Sequence, residues 1–117
     1  MQEILPRITC PVWPIEQMTG YKPISTFWED FWIANHFGNS AIRDTFRRAF
    51  RAWKSDPVYT AELSLALNHL GWYYYDKPGD AAQERAQLYF QLWDACHTYA
   101  RETFTGEDAH TYWRITD

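Results

Sequence analysis

The chain has 117 residues, of which 46% are hydrophobic, 22% are charged and 19% are Phe, Trp or Tyr. This composition is typical of one globular domain with a single core; it excludes a disordered chain, and no apolar run is long enough for a membrane span. The formal net charge of -4 is too small to indicate a molecule that attracts nucleic acid over its whole surface or imitates DNA.

Residues 1–24 contain four of the six prolines, at Pro6, Pro11, Pro14 and Pro23. Each proline removes a backbone donor and biases the preceding residue toward extended geometry, so no long helix fits in this segment. Because apolar residues recur between the prolines, we predict an extended arm, with or without a short strand pair, packed over a helical body. The alternative is a tail that becomes ordered on a partner.

Residues 25–117 carry the start and stop signals of four main helices. Thr26 and Glu29 form a capping box for the first helix, and Asp56 followed by Pro57 supplies the N-cap and first position of the third. The predicted helices span about 27–37, 41–54, 57–75 and 81–104, followed by a last turn or short helix over 107–112. The predicted fold is therefore all-α, a four-helix bundle-like domain with a proline-rich extended N-terminal arm.

The predicted helices differ in how widely their apolar residues are distributed around the helix axis. The second, third and fourth helices each carry one apolar stripe, which is enough to build a core between them. In the first helix the apolar residues extend over well more than a third of the circumference, with Ile33 and Phe37 on the far side. This helix must therefore lie between other elements or expose an apolar flank.

Three tryptophans, Trp28, Trp32 and Trp72, are the first candidates for contact with a partner. Their rings lie off or at the margin of the core-facing stripes, and Trp72 opens a run of four aromatic residues that cannot all point inward. Large rings left over after a core is filled tend to meet a partner. The alternative is that the proline-rich arm and the residues after Gly106 cover these rings.

The second candidate is a basic stripe. Arg43, Arg47, Arg51 and Lys54 recur at intervals of four, four and three residues on the outer face of the second predicted helix. Such a stripe can pair with phosphates or with the carboxylates of a partner. It can also be solvated or paired internally, for example Arg47 with Asp44. The helix places its own rings on the opposite face, so the stripe lacks local stacking platforms for single-stranded nucleic acid.

No catalytic, metal-binding or cofactor motif accompanies these candidates. Glu62 with His69 and Asp94 with His97 do not reproduce the Glu-x-x-His pairs of a di-metal bundle, and we interpret them as surface or boundary polar groups. Cys96 falls in the apolar stripe of the fourth predicted helix, where a thiol packs as a small hydrophobic group. We therefore expect no catalytic residue, no bound metal, no cofactor and no enzyme activity.

The cellular compartment is predicted from the cysteines and the first residues. Cys10 and Cys96 form no pattern typical of a disulfide framework or a zinc site. The segment that begins at Met1 lacks the basic flank and the continuous apolar stretch of a secretory signal. We expect two free thiols, a cytoplasmic protein and no membrane partner.

Several motifs distributed after residue 24 occur together in one group of proteins. They are Thr26-Phe27-Trp28-Glu29-Asp30-Phe31, Ile33-Ala34, Phe37-Gly38, Ala41-Ile42-Arg43-Asp44-Thr45-Phe46, Arg48-Ala49-Phe50, Trp53-Lys54 and the ending Tyr112-Trp113-Arg114-Ile115-Thr116-Asp117. With these motifs the chain resembles small uncharacterised proteins encoded on conjugative elements and prophages of intestinal bacteria. The resemblance implies a bacterial cytoplasm and a gene that travels with mobile DNA. The group has no assigned activity, so no catalytic or binding residue is carried over.

The sequence thus predicts a non-enzymatic protein–protein interaction module. Its partner is a host protein, an element-encoded protein or a second copy of the chain, and the resemblance implies a mobile-element accessory protein. The aromatic excess would supply the contact area and the basic stripe the charge complementarity. The alternative is a nucleic-acid-associated accessory protein that uses the basic stripe.

Overall fold

A computed structural model describes residues 10–117, and this part of the chain is all-α, with no strand. Its helices are α1 (Ile15–Thr19), α2 (Phe27–Asn35), α3 (Asn39–Trp53), α4 (Pro57–Tyr75), α5 (Asp80–Thr103) and α6 (Gly106–Thr116). The last helix is longer than the turn or short helix predicted for 107–112. None of these helices is long and apolar enough to cross a membrane.

The segment before α2 differs from the predicted extended arm. Residues 1–9 lie outside the described residues, and the part from residue 10 onward contains the short helix α1 instead of a strand pair. Pro14 stands directly before this helix, where a missing backbone N–H costs nothing. Gly20, with φ of 79°, ends it in the left-handed conformation that glycine adopts without strain. A helix of five residues fits between these two breakers.

Two predicted helix starts have different outcomes. The carboxylate of Asp56 accepts hydrogen bonds from the backbone N–H groups of Val58 and Tyr59, at 2.9 and 3.2 Å, which confirms the predicted N-cap of α4. The predicted capping box before α2 is wrong, because the Thr26 hydroxyl donates to the Asp30 carboxylate instead and caps no backbone group. The helix nevertheless begins at its predicted residue.

Helix α4 lies at the centre of the fold and contacts α2, α3, α5 and α6. A helix with neighbours on several sides buries most of its circumference, not one stripe. Accordingly Thr60, Glu62 and Ser64 are fully buried beside the leucines of the core. The interpretation of Glu62 as a surface or boundary group is therefore wrong.

Two groups of buried side chains hold the helices together. The larger joins α2, α3, α4 and α5 and includes Phe31, Ile42, Leu67 and Tyr89. The smaller lies under α6 and consists of Ala61, Ala100, Phe104 and Tyr112. Cys96 is fully buried in the larger group, as its place in the apolar stripe predicts. Cys96 and Cys10 are both free thiols.

Candidate partner-binding surfaces

The first candidate residue, Trp28, lies inside the protein. Its side chain is only 4% exposed, and its indole stacks on the indole of Trp13 with ring centroids 5.5 Å apart. Its Nε1–H donates to the backbone carbonyl of Pro11 at 2.8 Å. The segment before α2 therefore covers this ring and satisfies its one polar group. Trp28 does not have the exposed position that the sequence suggested.

Trp13 is itself held by α4. Its Nε1–H donates to Nδ1 of His69 at 2.5 Å, and the two rings meet edge to face. Burial lowers the pKa of His69. The neutral imidazole can accept at Nδ1 when its proton is on Nε2, and a doubly protonated ring could not accept there. The hydrogen bond thus depends on an uncharged His69.

Glu62 attaches the same segment to α4 at a second place. Its carboxylate accepts from the Tyr21 hydroxyl at 2.5 Å and from the backbone N–H groups of Ile24 and Ser25 at 2.9 to 3.0 Å. Burial, with the hydrogen bond to Glu62 as a smaller cause, raises the pKa of Tyr21. A buried carboxylate surrounded by donors is a structural contact, not an open catalytic acid.

The other two tryptophans lie further out, at different places. Trp32 is half-buried and meets the ring of Tyr73 edge to face, with centroids 5.5 Å apart. Trp72 is 52% exposed and packs its edge against Tyr75 and Phe90. The structure does not bring Trp28, Trp32 and Trp72 together into one exposed patch.

The basic stripe is exposed along its full length: Arg43, Arg47 and Arg51 on α3, and Lys54 directly after it. Arg47 pairs with Asp44 at 2.9 Å in an exposed contact, and the Lys54 ammonium lies 6.0 Å from the centre of the Tyr99 ring. Within residues 10–117, Arg43, Arg51 and Lys54 form no salt bridge. Three of the four cations are therefore free to pair with an external anion.

An apolar groove of about 600 Å³ runs between α2 and α3. On the α2 side its wall includes Ile33 and Phe37, which are 47% and 72% exposed. On the α3 side it includes Ala41, Ala49 and Trp53. Small alanine side chains leave room between the two helices for the side chains of a partner. The exposed flank that the sequence allowed for this helix is thus the side with Ile33 and Phe37.

The charged groups at the groove differ in their pairing. Asp30 and Asp44 both line it, and each has a partner, the Thr26 hydroxyl and Arg47 respectively. Arg48 also lines the groove and forms no salt bridge within the described residues. The Thr26 hydroxyl is neutral and leaves the charge of Asp30 uncompensated, so the groove has one unpaired carboxylate on its α2 side and one unpaired cation on its α3 side. On the surface of α3, Arg48 is one turn from Arg51, which connects the groove to the basic stripe.

A polar cluster lies between α4, α5 and α6. Nδ1 of His97 is 3.2 Å from the Ser64 hydroxyl and 2.6 Å from the Tyr112 hydroxyl. Burial lowers the pKa of His97 and raises that of Tyr112. Ser64 and Tyr112 are fully buried, so the cluster joins three helices and offers no nucleophile to solvent. Nowhere in residues 10–117 do three His, Cys, Asp or Glu side chains meet as a metal site would require.

Comparisons with protein-family models, with curated proteins and with solved structures find no match to this chain. The function is therefore argued from the surfaces themselves. The groove is the feature that the sequence analysis missed as a site. The sequence did contain an indication of the groove, because Ile33 and Phe37 lie on the side of their predicted helix opposite to its other aromatic residues.

Proposed function

We propose that the chain is a non-enzymatic protein-binding module that takes an acidic amphipathic helix of another protein in the groove between α2 and α3. The observation that carries this proposal is the exposure of Phe37, at 72%, beside a groove in which four alanines alternate with larger apolar side chains. An apolar groove between two helices suits a helix that inserts side chains spaced by three and four residues. Large exposed apolar groups around such a groove commonly mark an interface.

Charge complementarity supports an acidic partner. The exposed surface of α3 and its C-cap has five cations and the single carboxylate of Asp44; the cations are Arg43, Arg47, Arg48, Arg51 and Lys54. A helix lying in the groove would have one flank beside Arg48 and Arg51, where carboxylates can pair with guanidinium groups. Such exposed pairs contribute more to association rate and to partner choice than to affinity. The apolar groove would supply most of the binding energy.

This proposal changes the roles of the candidate residues. Phe37 and Ile33 take the place of Trp28, whose ring is covered by Trp13. Trp32 and Trp72 are outside the groove lining and are not needed for the contact. The basic residues keep the role expected for them, with Arg48 added at the rim of the groove.

The proposal is tested by site-specific photo-crosslinking in a bacterial host. A photoreactive phenylalanine analogue replaces Phe37 in one variant and Tyr75 in the control, because Tyr75 is 53% exposed outside the groove. We expect the Phe37 variant to crosslink to one segment of another protein that has an apolar stripe and acidic flanks. The additional change Arg48→Glu with Arg51→Glu should weaken the crosslink, whereas Trp72→Ala should not.

Three outcomes would contradict the proposal. One is equal crosslinking from positions 37 and 75. Another is a crosslink only to a second copy of this chain, which would indicate self-association. The third is a crosslinked segment without acidic residues, formed equally well after the double charge reversal.

The second candidate function is binding of nucleic acid, favoured by the full exposure of the basic stripe on α3. Under this alternative Arg47→Glu with Arg51→Glu abolishes a salt-sensitive mobility shift with DNA or RNA. Phe37→Ser, which removes the apolar contact and introduces no charge, would leave the shift unchanged. The absence of any such mobility shift favours the protein partner.

The resemblance to proteins encoded on conjugative elements and prophages supports a context for this function. A small binding protein carried by mobile DNA would act in the bacterial cytoplasm, on a host protein or on a protein of the element itself. The crosslinking experiment also addresses this context, because the crosslinked protein is identified by its sequence.

A further inference from the structure

A second cavity, of about 280 Å³, lies on the other side of α2 from the groove. It is formed where α2 meets the end of α4 and the beginning of α5. Trp32 of α2 and His36 directly after it line this cavity, whereas Ile33 and Phe37 line the groove. Its volume is close to the lower limit of small-molecule sites, so it suits a small molecule better than a protein segment.

Two side chains that line this cavity have buried hydrogen-bond donors without a partner. They are Nε1 of Trp32 and Nδ2 of Asn35. Asn35 is 8% exposed, and its Oδ1 already accepts from the Tyr89 hydroxyl, so its amide nitrogen is the part left unpaired. Buried donors are nearly always hydrogen-bonded in native proteins, so two unpaired donors in the wall of one cavity are unusual. Neither nitrogen is open to a water-sized probe, so an acceptor in the cavity reaches them only when the two side chains turn toward it.

The two charged side chains that line the cavity are both positive. Lys77 and Arg85 line it, no carboxylate does, and neither cation forms a salt bridge within residues 10–117. Arg85 donates through Nε and Nη1 to Asn39 and to the backbone of Asn35. These two contacts hold the guanidinium at the cavity wall. In a protein with a net charge of -4, a cavity with two cations and no acid is selective for an anion.

Two aromatic rings complete the lining. The Lys77 ammonium lies 4.4 Å from the centre of the Tyr73 ring, and the Arg85 guanidinium lies 5.3 Å from the centre of the Tyr74 ring. Each ring contacts one cation, and this contact holds the cation in place without neutralising its positive charge. The Tyr74 ring also stacks on Tyr89, so it is the exposed ring of Tyr73 that offers apolar area to the body of a ligand.

We infer that this cavity binds a small organic anion. A carboxylate or phosphate group would pair with Lys77 and Arg85, and Trp32 and Asn35 would donate to it once their side chains turn toward the cavity. The ring of Tyr73 would pack against the rest of the ligand. This site is independent of the proposed partner groove, because the two lie on opposite sides of α2 and share no lining residue.

The inference is tested by NMR titration of the full ¹⁵N-labelled chain with two probes, sodium benzoate and inorganic phosphate, each against sodium chloride at the same ionic strength. Trp32→Phe identifies the indole N–H resonance of Trp32. We expect that resonance and the Asn35 side-chain amide to shift saturably with at least one probe. A response to benzoate alone identifies a carboxylate ligand, and a response to phosphate alone identifies a phosphate ligand.

Lys77→Gln is the decisive variant, because Lys77 is exposed and its loss should leave the fold intact. We expect the probe to bind about tenfold more weakly, as for the loss of one charge-assisted contact. The matched control is Lys22→Gln, the same change at an exposed lysine outside this cavity, which should leave the affinity unchanged. The inference is overturned if neither probe shifts the two resonances beyond the chloride control, or if both lysine variants bind as the unaltered chain does.

Discussion

The indole of Trp13 lies flat against the indole of Trp28, with ring centroids 5.5 Å apart and ring planes within 6° of parallel. This contact makes the segment before α2 part of the core. It divides the aromatic excess of α2 into two parts: the side with Trp28 is covered from within the chain, and the side with Ile33 and Phe37 is left open.

Trp13→Ala should destabilise the protein strongly. Removing a buried tryptophan leaves a cavity beside Trp28 and costs about 3–5 kcal/mol of unfolding free energy. The matched control is Trp72→Ala, where the ring is 52% exposed and the expected loss is below about 1.5 kcal/mol. Urea denaturation followed by circular dichroism measures both. Equal losses in the two variants would show that Trp13 does not pack as described.

Glu62→Gln should be costly although it preserves the size of the side chain. The carboxylate accepts from Tyr21, Ile24 and Ser25, and an amide would place its own donor against some of these donors. We expect a loss of about 2–3 kcal/mol, in the range for a buried charge-assisted contact. Glu84→Gln on the exposed face of α5 is the control and should change the unfolding free energy by less than about 0.5 kcal/mol. Denaturant unfolding that gives similar values for both would contradict the assigned contacts.

Stability should fall when the pH is lowered below about 6.5, the ordinary pKa of histidine. Burial lowers the pKa of His69 and His97 in the folded chain, so the unfolded chain binds more protons in this range. The unfolding free energy is therefore highest above about pH 6.5, and it decreases as the pH falls from 6.5 toward the lowered pKa values of the folded chain. His69→Asn, which keeps an acceptor for Trp13, should flatten the dependence measured between pH 7.5 and 5.5. His110→Asn, at an exposed histidine, is the control, and an equal flattening there would contradict the prediction.

Gly71→Ala should destabilise the protein, although alanine is normally the better helix residue by about 1 kcal/mol. A Cβ at this position would lie 2.6 Å from the Phe90 ring, which packs on the backbone of α4. We expect a loss of about 1–3 kcal/mol from overpacking. In a Phe90→Ala background the same change should become neutral or stabilising, and a double-mutant cycle of thermal unfolding measures this coupling. Additive effects would show that Phe90 is not the obstacle.

The helix positions were largely predictable because their signals are local. Asp56 before Pro57 marks the start of α4, and the carboxylate caps the backbone as expected. The pattern around Thr26 gave the correct start of α2 for an incorrect reason, since its hydroxyl has a competing acceptor in Asp30. The short α1 was missed because prolines on both sides suggested an extended chain, although one helical turn fits between Pro14 and Gly20.

The candidate site was predictable only in part. Exposure of the basic stripe on α3 followed from its position on an amphipathic helix, where charged groups face the solvent. The assignment of Trp28 to the surface failed because its cover comes from Trp13, a residue outside its own helix. Glu62 was placed at the boundary for a similar reason: its donors, among them the Tyr21 hydroxyl, belong to a segment that no helical wheel of α4 includes.

By itself, the sequence determined that the described chain is helical and where its main helices lie, because capping and apolar periodicity act between residues within one or two turns. It also determined that α2 carries more apolar surface than one face can bury. The tertiary structure alone decided which rings of α2 are covered and which remain exposed. That choice depends on where the preceding segment and α4 pack, and contacts between distant parts of a chain leave no periodic signal in either part.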